Sequence, residues 1–370
     1  MNVNLLIDTN NMMLRLLHSL PKTAKWLDIK VPFHPTKMLF TEDEQEVFKK
    51  AIEISYNKML SELPSVGRVF MLRDSSSWRK KIDIDGVKSY KATRKSKQKK
   101  EIPWDIFEKI IDEFVDNTPR LTNYKIKWLE ADDLMYLCVN RLEKYFPGDL
   151  NIIYSTDSDY PQLLSEKTVI YNPIHTNIRF ILCEGITPDD IVKSGKLNES
   201  VKVQTKKYKG DRAIFDVSGV DLLNTEDTPD SVMNIITSGF ELDYANKFNT
   251  ILTKVICGDD KDDVPSIFSW EYNDKPKRIT PKYMKGLMED IHESGMQLDM
   301  DNILNKDFLF LLKNSLEKGM KNQMVDIPIK TLARNLKRNR ILLYLSDETI
   351  PSNLIEKFDE VFNEEFDIIH

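Results

Sequence analysis

The chain has 370 residues, 41 % of them hydrophobic and 30 % charged, with a formal net charge of −6. That composition supports a packed core and excludes global disorder, and the length fits about two or three domains, or one core with insertions. The longest apolar run, near 308–312, is far short of the roughly 20 residues of a membrane helix. Three widely spaced cysteines and five scattered histidines argue against a disulfide framework, a thiolate zinc site or histidine metal chemistry, and for a reducing compartment. Met1-Asn2-Val3-Asn4 has no basic segment or signal-peptide core.

In chain order, Val3-Asn4-Leu5-Leu6-Ile7-Asp8 reads as a buried strand ending in an acid. Residues 43–63 read as an amphipathic helix, with Phe48, Ala51, Ile52, Ser55, Met59 and Leu63 on one face. Residues 68–74 form a second strand ending in an acid. The stretch 78–103 follows, with ten Lys/Arg against three Asp/Glu. A helix is expected over 104–115 and a strand over 124–129, running into Glu130-Ala131-Asp132-Asp133. Leu134, Leu137, Cys138, Leu142 and Tyr145 mark the next helix. Another apolar strand, 151–155, leads to Thr156-Asp157-Ser158-Asp159-Tyr160. Strands near 167–171 and 178–182 flank a hairpin turn at Asn172-Pro173. Periodicity weakens over 195–250, which reads as an insertion carrying a second basic cluster at 202–212. After Ile256 the chain reads as mainly helical, with a basic run at 330–340, a strand at 341–345 and a last helix over 352–366. Phe358, Phe362 and Phe366 in that helix read as core or as a partner peptide. The three basic segments let an acidic chain bind a polyanion locally; the alternative for each is a solvated loop or helix face.

Alternating strands and helices imply an α/β fold with a mostly parallel central sheet flanked by helices, followed by a helical C-terminal region. The expected domains are 1–195, an α/β core that includes 78–103; 196–250, the insertion; and 251–370, helical. Four strands end in carboxylates, at the edge where open α/β sheets bind ligands. If the acids converge, they cannot all stay ionised without cations. An oxygen-only donor set suits Mg²⁺ or Mn²⁺, and a pair of such ions suits phosphodiester hydrolysis. Each acid alone also reads as a turn residue or helix cap.

Six segments in order carry a resemblance: Ile7-Asp8-Thr9-Asn10-Asn11, Arg73-Asp74, Tyr90-Lys91-Ala92-Thr93-Arg94, Glu130-Ala131-Asp132-Asp133, Thr156-Asp157-Ser158-Asp159-Tyr160 and Gly258-Asp259-Asp260-Lys261-Asp262-Asp263-Val264-Pro265. Together they resemble the structure-specific 5′ nucleases: flap endonucleases, the 5′-nuclease domains of bacterial DNA polymerase I and phage 5′→3′ exonucleases. Within that family, which has a PIN-like core, the likeness is to the ribonuclease H branch of T-even bacteriophages. The resemblance implies a two-metal enzyme using Mg²⁺, with Mn²⁺ as a substitute. Asp8, Asp74, Glu130, Asp132 and Asp133 would surround the first ion, Asp157 and Asp159 would bridge, and Asp259 and Asp262 would serve the second. Which of Asp132 and Asp133 touches metal stays open. Lys91 and Arg94 would approach the scissile phosphate. Arg79, Lys80, Lys81, Lys88 and Lys95 lie where the family has its arch. Lys206 and Lys207 in the insertion, and Lys337 and Arg338 in the C-terminal run, are further nucleic-acid candidates.

The implied activity is cleavage of RNA–DNA and DNA duplexes from a 5′ end and of 5′ flaps, with lagging-strand primer removal in phage replication as the role. Implied partners are an RNA–DNA hybrid, 5′-flap or nicked duplex DNA, a sliding clamp and a single-strand DNA-binding protein. The expected setting is the cytoplasm of an infected bacterial cell, as a monomer with no membrane association. Two departures stand out. Ser266-Ile267-Phe268-Ser269 replaces the family's Gly-x-Gly turn, which puts a monovalent-ion site there in doubt, and Asp159 and Asp259 are unusually far apart. The competing readings are a catalytically weak member that recognises branched DNA, and a haloacid-dehalogenase-like phosphatase. The latter needs an Asp where Asn10 stands.

Overall fold

The structure, a computed structural model, describes the chain except residues 1–2, 35, 64–65, 83–88, 94–100, 120, 174–178, 184–203, 209–211, 217–240, 321–324 and 369–370. The side chains of 62, 179, 204–208, 212–216 and 241–244 are likewise not described. The described residues form two compact units, Met1–Ser76 with Gln98–Ala245, and Ser77–Lys97 with Asn246–His370.

The first unit is built on a nine-stranded sheet in the order β3-β2-β1-β4-β5-β6-β9-β8-β7. Its strands are β1 (Val3–Asp8), β2 (Val66–Leu72), β3 (Leu121–Tyr124), β4 (Leu150–Tyr154), β5 (Thr168–Asn172), β6 (Arg179–Cys183), β7 (Gln204–Tyr208), β8 (Arg212–Asp216) and β9 (Glu241–Ala245). β1, β2, β3, β4 and β5 pair in parallel. β6 turns back antiparallel on β5, as the Asn172-Pro173 turn implied. β9 runs parallel to β6 and carries the antiparallel β8 and β7, so part of the expected insertion extends the sheet edge. The fold is thus the expected α/β type with a mostly parallel sheet.

β1 and β4 are buried along their whole length, as central parallel strands are. Their polar exceptions satisfy one another across the sheet. Asn4 donates to Asn151 at 2.9 Å, Asn151 to Thr168 at 3.3 Å, and Thr168 to Glu143 at 2.6 Å. Paired this way, the buried amides avoid the ~1–3 kcal/mol cost of a lost partner.

Helices α1 (Thr9–Trp26), α2 (Glu42–Glu62), α3 (Trp104–Asp116) and α4 (Ala131–Tyr145) complete this unit. A capping box between Thr41 and Glu44 starts α2. Phe48 of α2 stacks on Phe107 of α3 with ring centroids 5.8 Å apart. Two sequence expectations are corrected here. α1 was not foreseen, although Met12, Met13, Leu17, Leu20 and Ala24 form its buried stripe; Pro21 lies inside it. The expected strand over 124–129 instead ends at Tyr124 and gives way to a turn in which the amide of Leu129 bonds the carbonyl of Ile126 and Trp128 has φ +78°.

The second unit holds α5 (Lys247–Cys257), a hairpin of β10 (Ser269–Tyr272) and β11 (Lys275–Arg278), α6 (Met284–Ser294), α7 (Lys306–Gly319), α8 (Ile329–Leu343) and α9 (Ser352–Glu365). Ile251, Val255, Ile256, Leu287, Phe308, Leu312, Leu332 and Leu336 share one buried cluster, which Tyr90 joins from Ser77–Lys97. The strand expected over 341–345 is a second correction of type. Ile341, Leu342 and Leu343 continue α8, because Leu332, Leu336 and Leu343 follow a helical period into that cluster. In α9, Phe358 and Phe362 are fully buried, so its aromatic spacing serves packing.

Candidate functional site

The C-terminal ends of β1, β2 and β4 bring the first-unit carboxylates to one edge. Asp8 closes β1 and caps α1, its Oδ1 accepting the amide of Asn11 at 3.0 Å. Its Oδ2 accepts from Ser155 Oγ at 3.2 Å and Tyr160 OH at 3.0 Å. Asp74 follows β2. Its Oδ2 accepts from Asn10 Nδ2 at 2.9 Å, and its Oδ1 accepts the amide of Ala131, the first residue of α4, at 2.8 Å. One free amide of a helix N-terminus therefore steadies this anion.

Glu130 and Asp133 form a reciprocal capping box at the start of α4, Asp133 accepting the amide of Glu130 at 3.0 Å. Asp133 is fully buried in that role, whereas Asp132 is partly exposed and its charge acts on Tyr160. After β4, Asn11 Oδ1 accepts from the amide and Oγ1 of Thr156. The amide of Asp159 donates to Asp157 Oδ1 at 3.0 Å. Asn10, Asn11, Ser155 and Tyr160 thus position the acids. Their residue types alone signal no such role, although Asn10, Asn11 and Tyr160 lie within the motif segments.

The electrostatics are those of crowded anions. Burial, then the charges of Asp74 and Asp157, push the Asp8 carboxyl from 3.8 up to about 7, against the opposing bonds from Asn11 and Tyr160. Tyr160 is driven well above the ordinary tyrosine range by burial and by the charges of Asp132, Asp8 and Asp157. The acids ring the edge without meeting at one point: among the described residues, no three His, Cys, Asp or Glu side chains are gathered as an ion's ligand set. Asp8, Asp74, Glu130, Asp133 and Asp157 instead turn onto protein donors. The donor chemistry, hard oxygens under mutual repulsion, fits a divalent cation.

In the second unit, Gly258 ends α5 at φ +77°. A Cβ there would lie 2.4 Å from the carbonyl oxygen of Val264, so only glycine fits the turn. Asp259 pairs with Lys254 at 3.4 Å, and its backbone exchanges hydrogen bonds with Val264. Asp262 is 3 % exposed; it accepts from Tyr90 OH at 3.2 Å and lies 3.9 Å from Lys91 Nζ. Arg79 is buried with its guanidinium 4.6 Å from the Trp78 ring centre, while Lys80 and Lys81 are exposed.

On α8, Lys330, Arg334 and Lys337 lie on the exposed face. Arg338 turns inward to the carbonyl of Pro265 at 3.4 Å. Asn335 donates to Ile267 O and Asn339 to Val255 O and Pro265 O, each at 2.8 Å. The turn that lacks Gly-x-Gly is therefore held by amide donors from α8. Lys88, Arg94 and Lys95 lie outside the described residues, and Lys206 and Lys207 lie in β7 with side chains not described.

No protein-family model and no curated protein matches the sequence. Solved structures do. The chain is similar to the bacteriophage T5 D15 flap endonuclease, seen as a pseudo-enzyme–product complex with DNA and metal ions. The TM-score is 0.50 at 16 % identity, over 98 % of both chains. A structure of T5 5′-exonuclease with divalent zinc matches at a TM-score of 0.49 and 15 % identity, over 98 % of this chain and 99 % of that one. At 16 % identity the likeness to the flap endonuclease is one of fold.

Proposed function

We propose that the chain is a divalent-metal-dependent 5′ nuclease that cuts RNA–DNA and DNA duplexes from a 5′ end and cleaves 5′ flaps. The observation that carries this reading is the row of carboxylates at the ends of β1, β2 and β4, where burial and then the charges of Asp74 and Asp157 push Asp8 up to about 7. The fold shared with a flap endonuclease seen with DNA and metal ions supports it. So does the order of the six motifs.

In this reading Asp8, Asp74, Glu130, Asp132 and Asp133 are the candidate ligands of a first Mg²⁺, Asp157 and Asp159 the candidate bridging pair, and Asp259 and Asp262 candidates for a second ion. Bound ions of this kind activate water and neutralise charge on a phosphodiester. The chain's own part is to hold the acids: Asn11, Ser155 and Tyr160 fix Asp8, and Asn10 with the Ala131 amide fixes Asp74. Lys91 and Arg94 offer a point charge and a planar fork to phosphate oxygens. Arg79, Lys80, Lys81, Lys88, Lys95, Lys206, Lys207, Lys337 and Arg338 remain the candidates for backbone contact, with Arg338 also bonded inward. The biological role in this reading is primer removal in phage replication within the host cytoplasm, as a monomer assisted by a sliding clamp and a single-strand DNA-binding protein.

The test uses a 5′-labelled RNA–DNA hybrid and a 5′-flap DNA, each with Mg²⁺, with EDTA, and with Asp157→Asn. Short 5′ products that need Mg²⁺ and vanish in the variant are expected, and their lengths separate exonuclease from flap cutting. Salt-sensitive binding with no cleavage of either substrate would instead support the branched-DNA-binding reading.

A further inference from the structure

The basic segment and the Gly-Asp turn of the second unit are joined by more than the Lys91–Asp262 pair. The amide of Lys91 donates to the backbone carbonyl of Asp262 at 2.9 Å. Two residues on, Thr93 engages Asp263 with both of its donors: its amide reaches Oδ2 at 2.7 Å and its hydroxyl reaches Oδ1 at 2.6 Å. Tyr90, 3 % exposed, packs in the core of the unit and donates to Asp262 from there. The segment 90–93 is therefore tied down at Tyr90, Lys91 and Thr93 to two consecutive aspartates.

The backbone in this clasp is unusual on both sides. Lys91 has φ +57° and Asp263 has φ +58°. Side-chain-bearing residues rarely adopt that region, and keep it only where surrounding bonds over-determine it. The bonds from Tyr90, Lys91 and Thr93 to Asp262 and Asp263 are those constraints. Such strain is useful where a side chain must be aimed before its ligand arrives, because a pre-ordered group loses less freedom on binding. Neither Thr93 nor Asp263 belongs to the proposed ligand set or to the proposed phosphate contacts.

We propose that Thr93 and Asp263 are positioning residues that lock Lys91 in a left-handed backbone conformation and so aim its ammonium for phosphate. This rests on the 5′-nuclease reading of Lys91. Losing the clasp frees the lysine without removing its charge, so the loss falls on turnover more than on substrate affinity.

The full-length chain is tested as wild type, Thr93→Val, Thr93→Ser and Asp263→Ala, on a 5′-flap DNA with Mg²⁺. The expected result is a fall in kcat of tenfold or more in Thr93→Val and Asp263→Ala, with KM within about twofold. Thr93→Ser keeps the hydroxyl and should restore most of the rate, a rescue that a packing role for the threonine methyl would not give. Hydrogen exchange read by mass spectrometry over 89–93 should speed up in Thr93→Val and Asp263→Ala and stay slow in Thr93→Ser, while all three keep the wild-type far-UV spectrum. Wild-type turnover in Thr93→Val, or a loss confined to KM, overturns the inference while leaving the nuclease reading intact. A wild-type chain that cuts nothing with Mg²⁺ overturns the nuclease reading itself, and this one with it.

Discussion

At the scale of single residues, Asp8 is the most informative position. It is 5 % exposed, holds three hydrogen bonds and still has its carboxyl pushed up to about 7 by burial and by Asp74 and Asp157. Because the folded state holds this proton more tightly than the unfolded chain, the associated stability is fully present below about pH 4. It is lost as pH rises through about 7. The gap between 3.8 and about 7 corresponds to on the order of 4 kcal/mol. In EDTA, the wild-type thermal midpoint should therefore fall more between pH 5 and pH 8 than that of Asp8→Asn, which cannot ionise; parallel pH profiles would contradict this. The amide variant can still cap α1 through its oxygen, and the hydroxyls of Ser155 and Tyr160 can rotate to accept from its nitrogen. Gly258 is the second such position. With φ +77°, ψ −178° and a backbone oxygen 2.4 Å from any Cβ, Gly258→Ala should cost about 2 kcal/mol or more. An unchanged denaturant midpoint would refute the steric argument.

At the scale of elements, the strand ends are anchored from below. Arg73, 1 % exposed, follows β2 one residue before Asp74 and pairs with Glu108 and Asp112, one turn apart on α3. Lys125 also reaches Glu108, at 2.7 Å. Arg73→Met should destabilise by about 2 kcal/mol, less than a fully buried pair because both partner carboxylates are partly solvated; chemical denaturation checks it. α8 divides its basic residues between two tasks. Lys337 faces solvent, whereas Arg338 and Asn339 hold the turn at Pro265. Lys337→Ala should weaken duplex binding and reduce the slope of log affinity against log salt by about one, whereas Asn339→Ala should act on stability. A salt slope equal to wild type would remove Lys337 from the interface.

The same elements explain what could be read from sequence. β1 and β4 were legible because uninterrupted apolar runs end in acids, and α2 because its apolar face keeps a helical period. α1 was missed because its cap, Asp8, was read as a strand-end acid and Pro21 breaks the pattern. The segments 124–129 and 341–345 misled because short apolar runs do not declare their period. Tertiary contacts made one a turn around Trp128 and the other the last turn of α8.

At the scale of the whole molecule, the chain divides its chemistry between two units of discontinuous sequence. The first carries a sheet whose parallel strands deliver Asp8, Asp74 and Asp157 to one edge. The acids of that edge were legible in the sequence, as a strand-then-acid pattern repeated along the chain. Their partners Asn10, Asn11, Ser155 and Tyr160 were not, because side-chain hydrogen bonds between segments more than 60 residues apart leave no local pattern. The second unit carries the Gly258–Pro265 turn with Tyr90, Lys91 and Thr93 docked on it. Sequence distance hid that pairing too.

In the proposed function the first unit's carboxylate edge is a divalent-cation site. Calorimetric titration of Mg²⁺ into the full-length chain, beside Asp8→Asn and Asp157→Asn, tests it most directly. Saturable binding is expected in the wild type, weakening at least tenfold in both variants, each of which keeps a folded far-UV spectrum. Binding of equal strength in all three proteins, or no saturable heat in the wild type at millimolar Mg²⁺, would contradict it.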